Sequence, residues 1–268
     1  MEMYFCPLFS GSSGNALFCQ YGNTRLLIDA RKPGRSIEEA LQSIGVAPET
    51  LSGILVTHEH SDHITGVGVL ARRFSLPVYA TPGTWMAMEG KIGKIPGQLH
   101  REFCAGRDFW LGDIGVVPFG IPHDAADPVG FQLYGGNLSV STATDLGHFS
   151  REVYDRIAGS SLILLESNHD PEMLRMNPRY STVLKARILG ERGHLSNDTC
   201  ARALISLVAA GTGTVLLGHL SGENNTPELA MRVSREALAA EGILPGRDMT
   251  LDVALRDTTG PVYTIREK

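Results

Sequence analysis

Short apolar runs recur along the whole chain, and glycine, proline, asparagine or aspartate bounds most of them. Five-residue runs such as Tyr4–Leu8, Ala16–Gln20, Arg25–Asp29 and Gly53–Thr57 have the length and β-branched or aromatic content of strands. Further strands are predicted at Val78–Ala80, Leu162–Leu165, Val215–Leu217, Thr250–Leu255 and Val262–Ile265. Three more fall between Gly115 and Ala143, with Gly135-Gly136-Asn137 as the hairpin turn. Apolar positions at helical spacing predict helices from Ser36 to Gly45, from Ile64 to Phe74, and over Arg179–Leu189, Asn197–Ala210 and Pro227–Ala240, with one more starting at Pro82. Ser36 and Glu39 have the spacing of a capping box. This alternation of strands and helices predicts the α/β class, with two mixed β-sheets covered by helices.

The 268 residues contain no proline-, glycine- or serine-rich linker and no shift in composition, so one domain spanning 1–268 is expected. At 43% hydrophobic residues the chain can build a large core. A formal charge of −5 excludes a global basic field, so any contact with nucleic acid must be local. The four cysteines form no CxxC pair and imply no disulfide framework. No stretch is long enough to span a membrane, and no basic segment followed by a long apolar one opens the chain. A cytoplasmic protein is expected.

The chemistry is concentrated at His58-Glu59-His60-Ser61-Asp62-His63, directly after the strand Gly53–Thr57. Imidazole nitrogens and carboxylate oxygens are ligands for a borderline divalent ion such as zinc. Four such groups in one loop are too many for one tetrahedral ion. They divide naturally into His58 with His60 and Asp62 with His63, one pair for each of two adjacent metals. Asp29, His123, Asp145 and His219 each stand where an apolar strand runs out.

The HxHxDH pattern, with these later residues in order, resembles the metallo-β-lactamase superfamily, whose fold is a four-layer αββα sandwich. The resemblance implies one metal on His58, His60 and His123 and a second on Asp62, His63 and His219, with Asp145 bridging both. Asp29 would support the histidine loop from behind. Two divalent ions are implied, zinc or manganese, with iron possible at the oxygen-bearing site. Leu164-Leu165-Glu166 followed by Gly193-His194-Leu195-Ser196-Asn197 is similar to ribonuclease Z and its relatives, in which a glutamate–histidine pair helps protonate the leaving oxygen. Asp62, Glu166 and His194 are therefore the catalytic candidates.

The chain departs from ribonuclease Z in lacking a glycine-rich arm for transfer RNA, and Ser167-Asn168-His169-Asp170 breaks the longer glutamate motif. The interval from Asp145 to His219 is too short for the nucleic-acid-binding insertion of the β-CASP nucleases. Ser10-Gly11-Ser12-Ser13-Gly14-Asn15, His123-Asp124, Glu166–Asp170, Leu184–Ile188 and Gly218–Ser221 with Glu223-Asn224-Asn225 resemble the YycJ/WalJ-type branch more closely. That resemblance implies a DNA exonuclease of 5′ polarity. Ser12, Ser13 and Asn15 in the Ser/Gly loop, and Arg179 and Arg187 in a locally basic segment over 171–193, are the candidate substrate contacts. A hydrolase of small esters, lactones, thioesters or β-lactams on the same fold is the alternative.

Overall fold

The computed structural model describes residues 1–267. Strands β1 (Glu2–Gly11), β2 (Gly14–Tyr21) and β3 (Thr24–Ile28) form an antiparallel meander. Helix α1 (Gly34–Ser43) then leads to β4 (Gly53–Leu55). Two short helices, α2 (Ser61–Ile64) and α3 (Val67–Phe74), precede β5 (Val78–Ala80), α4 (Pro82–Met88) and β6 (His100–Glu102). Strands β3 to β6 run parallel. The second half opens with the meander β7 (Phe109–Leu111), β8 (Ile114–Gly120), β9 (Val129–Gly135) and β10 (Leu138–Ala143). It continues through α5 (Arg151–Ile157), β11 (Leu162–Glu166), α6 (Pro171–Met176), α7 (Thr182–Leu189), α8 (Asn197–Ala209) and β12 (Thr214–Gly218). Helix α9 (Pro227–Ala240) and β13 (Thr250–Val253) follow, and β14 (Tyr263–Arg266) crosses back to pair with β1.

The sheet orders are β14-β1-β2-β3-β4-β5-β6 and β13-β12-β11-β10-β9-β8-β7. Each sheet joins an antiparallel half to a parallel half, and the change falls at β3 in one and at β10 in the other. Strands buried on both faces read as continuous apolar runs. Leu162 and Leu164 enter the core between the sheets, while Ile163 and Leu165 pack under α8 and α9. Leu26 and Ile28 likewise face the second sheet, and Leu27 faces α1 and α3. Three apolar layers thus separate four layers of structure. Burying one such leucine fully contributes about 1.5–3 kcal/mol. No helix among the described residues is long and apolar enough to cross a membrane.

The structure redraws several predicted boundaries. The capping box does not form: α1 starts at Gly34 with Pro33 at its cap, and Glu39 bonds Arg35 at 2.9 Å on the exposed face. The helix expected over Ile64–Phe74 is broken at Gly66, where an added Cβ would lie 2.5 Å from the Lys32 carbonyl. The break frees α2 to carry Asp62 and His63. Helix α7 begins at Thr182 rather than Arg179, because the Ser181 hydroxyl caps it through the Leu184 N–H. The strand expected to reach Thr57 ends at Leu55, releasing Val56 and Thr57 toward the histidine loop. Strands β6 and β7 and helices α5 and α6 are too short to leave a periodic signal.

The Ser/Gly loop is a tight hairpin in which only Ser12 and Ser13 lie outside the strands. Gly14 has φ +98°, and a Cβ there would lie 1.7 Å from the Asp62 carbonyl oxygen. Left-handed backbone at a non-glycine residue costs about 1–3 kcal/mol, before any steric displacement. Gly14→Ala is therefore expected to lower the thermal midpoint and, by pushing the Asp62 backbone away, the bound metal per chain. Melting curves and elemental analysis check both, and wild-type values in each would refute the coupling.

Candidate metal centre

The histidine loop leaves the parallel half of the first sheet and turns at once into α2. His58 Nε2 lies 3.1 Å from His60 Nδ1, which lies 3.3 Å from His123 Nε2. His123 comes from the loop after β8. Facing them, His63 Nε2 stands 3.9 Å from an Asp62 carboxylate oxygen and 3.6 Å from Asp145 Oδ2. Asp145 Oδ1 is 3.4 Å from His219 Nε2 and 3.8 Å from His123 Nε2, so this carboxylate lies between the two clusters. The donor atoms of His58, His60 and His123 fall within 4.8 Å of one another, and so do those of Asp62, His63 and His219. All seven residues predicted as ligands therefore converge.

Three of these atoms, His63 Nε2, His219 Nε2 and Asp145 Oδ2, are buried with no hydrogen-bond partner. A buried polar atom left unsatisfied costs about 1–3 kcal/mol. Nitrogen and carboxylate lone pairs directed at common points are satisfied together by cations, so the residues fit a pair of divalent ions. Asp29, Asp145 and His219 all have left-handed backbone, with φ of 57°, 61° and 57°. Few non-glycine residues adopt it outside special sites. Here it occurs just past β3, β10 and β12.

Acceptors behind the cluster fix which nitrogen each imidazole presents. Asp29 accepts from His63 Nδ1 at 2.7 Å and from the Thr57 backbone N–H and hydroxyl, each at 2.8 Å. The Thr57 hydroxyl also lies 3.0 Å from His58 Nδ1, and the Gly193 carbonyl lies 3.3 Å from His123 Nδ1. Glu166 accepts from His194 Nδ1 at 2.8 Å, as its predicted pairing required. The same oxygen, Oε1, also accepts from His219 Nδ1 at 2.8 Å. Its other oxygen takes the Leu146 and Leu195 N–H groups at 2.7 and 3.1 Å. Glu166 thus anchors a ligand as well as the catalytic candidate, a double role that its sequence motif does not reveal.

Burial disfavours charge at every one of these groups, and the partners decide the outcome. Burial would raise Asp145, but His219, His63, His58 and His123 hold it well below the usual carboxylate range. Glu166, also opposed by burial, is held at about 2 by His194 and His219. Burial lowers His194, yet the charge and hydrogen bond of Glu166, with Asp145 and Asp124, bring it up to about 9. His63 is similarly carried against burial to about 10 by Asp145 and Asp29. His58 and His123 are lowered by burial and reach the neutral, ligating form readily.

A cavity of about 180 Å³ opens beside His194. Ser12, Asn168, Tyr180 and Arg187 are among its walls, and the Arg187 guanidinium bonds Asp124. The other candidate substrate contacts are placed differently. The Ser13 hydroxyl accepts from Arg31. Asn15 is 1% exposed, and its amide is spent on the Ser10 and Thr144 hydroxyls, so it braces the residue before Asp145 and presents nothing to solvent. Arg179 lies outside this cavity and pairs with Glu223 at 2.9 Å. A larger cavity of about 690 Å³ beside α4, with Trp85 and His100 in its wall, is lined by none of the candidate ligand residues.

Sequence reasoning assigned no role to Thr57 or to a buried asparagine network. Asn168 Nδ2 donates to the His219 carbonyl at 2.9 Å. Asn225 Nδ2 reaches the Ser167 and Asn168 carbonyls and the Asn197 side chain. These bonds tie together the loops that carry Glu166, His194 and His219. The recurrence of asparagine in the stretches that follow Glu166, His194 and His219 was the available signal.

A cluster of seven histidine and aspartate side chains able to hold metal, at the mouth of a four-layer αββα sandwich, defines a metallohydrolase of the metallo-β-lactamase fold. The chain belongs to the β-lactamase superfamily, whose domain profile matches residues 24–220. Within it, the chain belongs with the YycJ and WalJ proteins. It is 42% identical over 242 residues to exodeoxyribonuclease YycJ of Bacillus anthracis, covering 90% of this chain and 91% of the relative. It is 39% identical over 260 residues to exodeoxyribonuclease WalJ of Streptococcus pneumoniae serotype 2, covering 96% of each. Among solved structures, YhfI from Bacillus subtilis superposes with a TM-score of 0.72 at 14% identity, over 97% of this chain and 99% of that one. The short form of human tRNase Z gives 0.62 at 15% identity, over 98% and 100%.

The His63 environment has a measurable consequence. Below about pH 10 the metal-free imidazole holds its proton on the nitrogen a metal would need. Metal binding near neutral pH must therefore release a proton, and affinity should rise with pH through that range. Calorimetric titration of metal-free protein with Zn²⁺, in buffers of different ionisation enthalpy, checks this. Affinity independent of pH with no proton released would contradict the assignment of His63.

Proposed function

We propose that this protein is a dinuclear metal-dependent phosphodiesterase that shortens DNA from an end, with 5′ polarity. The observation that carries the reading is the Glu166–His194 pair. His194 Nδ1 is bound to Glu166 at 2.8 Å, the ring lies within 3.9 Å of Asp145, and the cavity next to the metal cluster is walled in part by this side chain. A proton donor beside a hydrolytic metal site suits a poor leaving group such as the alkoxide of a phosphodiester. A thioester hydrolase, whose thiolate departs readily without a proton, has less need of it. The names carried by the YycJ and WalJ relatives support the same choice.

His58, His60 and His123 would hold one ion, Asp62, His63 and His219 the other, and Asp145 would lie between them. When bound, such a pair supplies an activated water near neutral pH and neutralises charge on the phosphoryl oxygens. Three imidazoles on one side suit zinc, and the more oxygen-rich side suits manganese or iron. Asp29 and Glu166 keep the ligating nitrogens aimed inward. The Asp62 side chain, 36% exposed at the open face, is the carboxylate placed to orient the attacking water. Glu166 holds His194 as the imidazolium, and His194 passes its proton from Nε2 to the departing oxygen. Ser12 and Arg187, in the cavity wall, would meet the strand.

The direct test supplies purified protein with zinc or manganese and end-labelled single- and double-stranded DNA and RNA, beside a chromogenic lactam. Stepwise loss from the 5′ end of DNA is expected. Lactam hydrolysis without any nucleic acid cleavage would overturn the reading in favour of a small-molecule hydrolase.

His194→Ala should slow DNA cleavage by about 10²–10⁴-fold, the usual contribution of a general acid, with metal content near wild type. The defect should shrink on bis(4-nitrophenyl) phosphate, whose leaving group needs no proton. Equal losses on both substrates would remove the acid role. Glu166→Gln is expected to lose metal as well, because the same carboxylate oxygen anchors His219.

A further inference from the structure

Three cations crowd one side of the Ser12–Ser13 turn, and neither the catalytic chemistry nor the metal cluster uses them. Arg31 follows β3, and its side chain is 6% exposed. It donates to the Arg256 carbonyl at 2.9 Å and to the Ser13 hydroxyl, while its Nε is buried with no acceptor. Arg256 lies between β13 and β14 and reaches the Leu220 carbonyl through Nη2 at 2.8 Å. Its Nη1 takes no acceptor among the described residues. Lys32 stands beside both, with Nζ 2.9 Å from Asp257. Among the described residues Asp257 is the one carboxylate paired with this group, and it is 58% exposed.

The fold makes room for this arrangement. A Cβ at Gly11 would sit 2.8 Å from Arg256 Cγ, and one at Gly222 would sit 2.1 Å from Arg256 Nη1. Arg256 therefore threads between the hairpin and the loop after His219, through a channel kept open by two glycines. Arg31 Nε is buried with no acceptor among the described residues, and a buried guanidinium left short of acceptors is costly unless an anion compensates, whereas Arg256 is half-buried and can turn Nη1 outward. The turn they support adjoins the reaction site. The Ser12 N–H bonds the Leu220 carbonyl at 3.0 Å, Ser12 shares a cavity wall with His194, and Gly14 backs directly on Asp62.

The basic segment over 171–193 is placed differently, because of its described cations Arg187 alone lines the cavity beside His194. Arg179 pairs with Glu223, Arg187 pairs with Asp124, and Lys185 bonds the Arg175 carbonyl. Arg192 bonds the carbonyls of His123 and Ala125.

We infer that Arg31, Lys32 and Arg256 form a phosphate-binding rim that grips the backbone of the nucleic acid strand next to the bond being cut. The inference rests on the nuclease reading and adds to it the surface that holds the strand. The ligand is a backbone phosphodiester, recognised by charge and by N–H donors without regard to base.

The test uses metal-loaded full-length protein, as wild type, Arg256→Gln and Lys32→Gln. Values of kcat and KM are measured against salt on labelled single-stranded DNA, and in parallel on bis(4-nitrophenyl) phosphate. Each variant should raise KM for DNA more than it lowers kcat. Each should also flatten the plot of log(kcat/KM) against log[salt], by about 0.7 for every phosphate the rim no longer neutralises. The defect on DNA should exceed that on the small diester by about tenfold. A wild-type salt slope in both variants, or equal defects on the two substrates, would overturn the rim and leave Arg256 as a loop brace. If Arg256→Gln fails to fold, Lys32→Gln decides, since among the described residues the Lys32 side chain hydrogen-bonds only Asp257. Wild-type protein that hydrolyses the small diester but not DNA would overturn the nuclease reading itself, and the rim with it.

Discussion

A single buried carboxylate, Asp145, sets the terms for the rest of the site. Five imidazoles surround it, those of His58, His63, His123, His194 and His219, and it is 2% exposed. A charge so deeply placed is tolerated only among compensating charges and donors. The imidazoles can compensate it only while their rings stay aimed at it. That aim is fixed from behind by two further buried carboxylates. Asp29 fixes His63, and Glu166 fixes His219 and His194. Each of these is saturated in turn by backbone N–H groups, from Thr57 on one side and from Leu146 and Leu195 on the other. Charge, orientation and backbone geometry therefore form one interlocked unit. Much of its cost is borne by the hydrophobic sandwich beneath it.

The sandwich delivers these groups to one place by a topological coincidence between its halves. In each sheet the pairing changes from antiparallel to parallel at the fourth strand in order, β3 in the first and β10 in the second. In α/β sheets, ligands collect outside the carboxyl ends of the strands. Asp29 follows β3 and Asp145 follows β10, both with left-handed backbone. The two aspartates hold corresponding positions in the two sheets but differ in their surroundings, Asp29 bracing His63 and Asp145 lying between the two imidazole clusters. No repeat in the sequence announces this correspondence. Side chains on equivalent strands pack against different helices, so topology repeats while residues do not.

Around the centre, polar side chains divide into those that hold loops and those that face solvent. Asn168, Asn197 and Asn225 knit three loops together without reaching a metal. Asn15 does the same for the approach to Asp145. Helix α7 is the opposite case. None of its residues is buried, and Val183 is 80% exposed, yet Leu184, Arg187 and Ile188 reach the cavity beside His194. Loose packing of that kind marks a segment of low local stability at the edge of the cavity.

The sequence by itself pointed to the seven side chains that converge, the His58–His63 run through the chemistry of its residue types and His123, Asp145 and His219 through family resemblance. It also determined most of the sheet, since strands buried on both faces must be continuously apolar. Glu166 and His194 were legible as a pair through motif resemblance. Tertiary structure alone decided the rest. That one oxygen of Glu166 serves both His194 and His219 depends on three loops meeting within hydrogen-bond reach. That Asn15 turns inward while Ser12 faces the cavity depends on a hairpin twisted tight at Gly14. Arg31 and Arg256 stand 225 residues apart and meet because β14 returns to the first sheet and carries the preceding loop across the hairpin. Periodicity and motif report what lies close along the chain. Contacts across such distances are set by packing, which no local pattern of residues encodes.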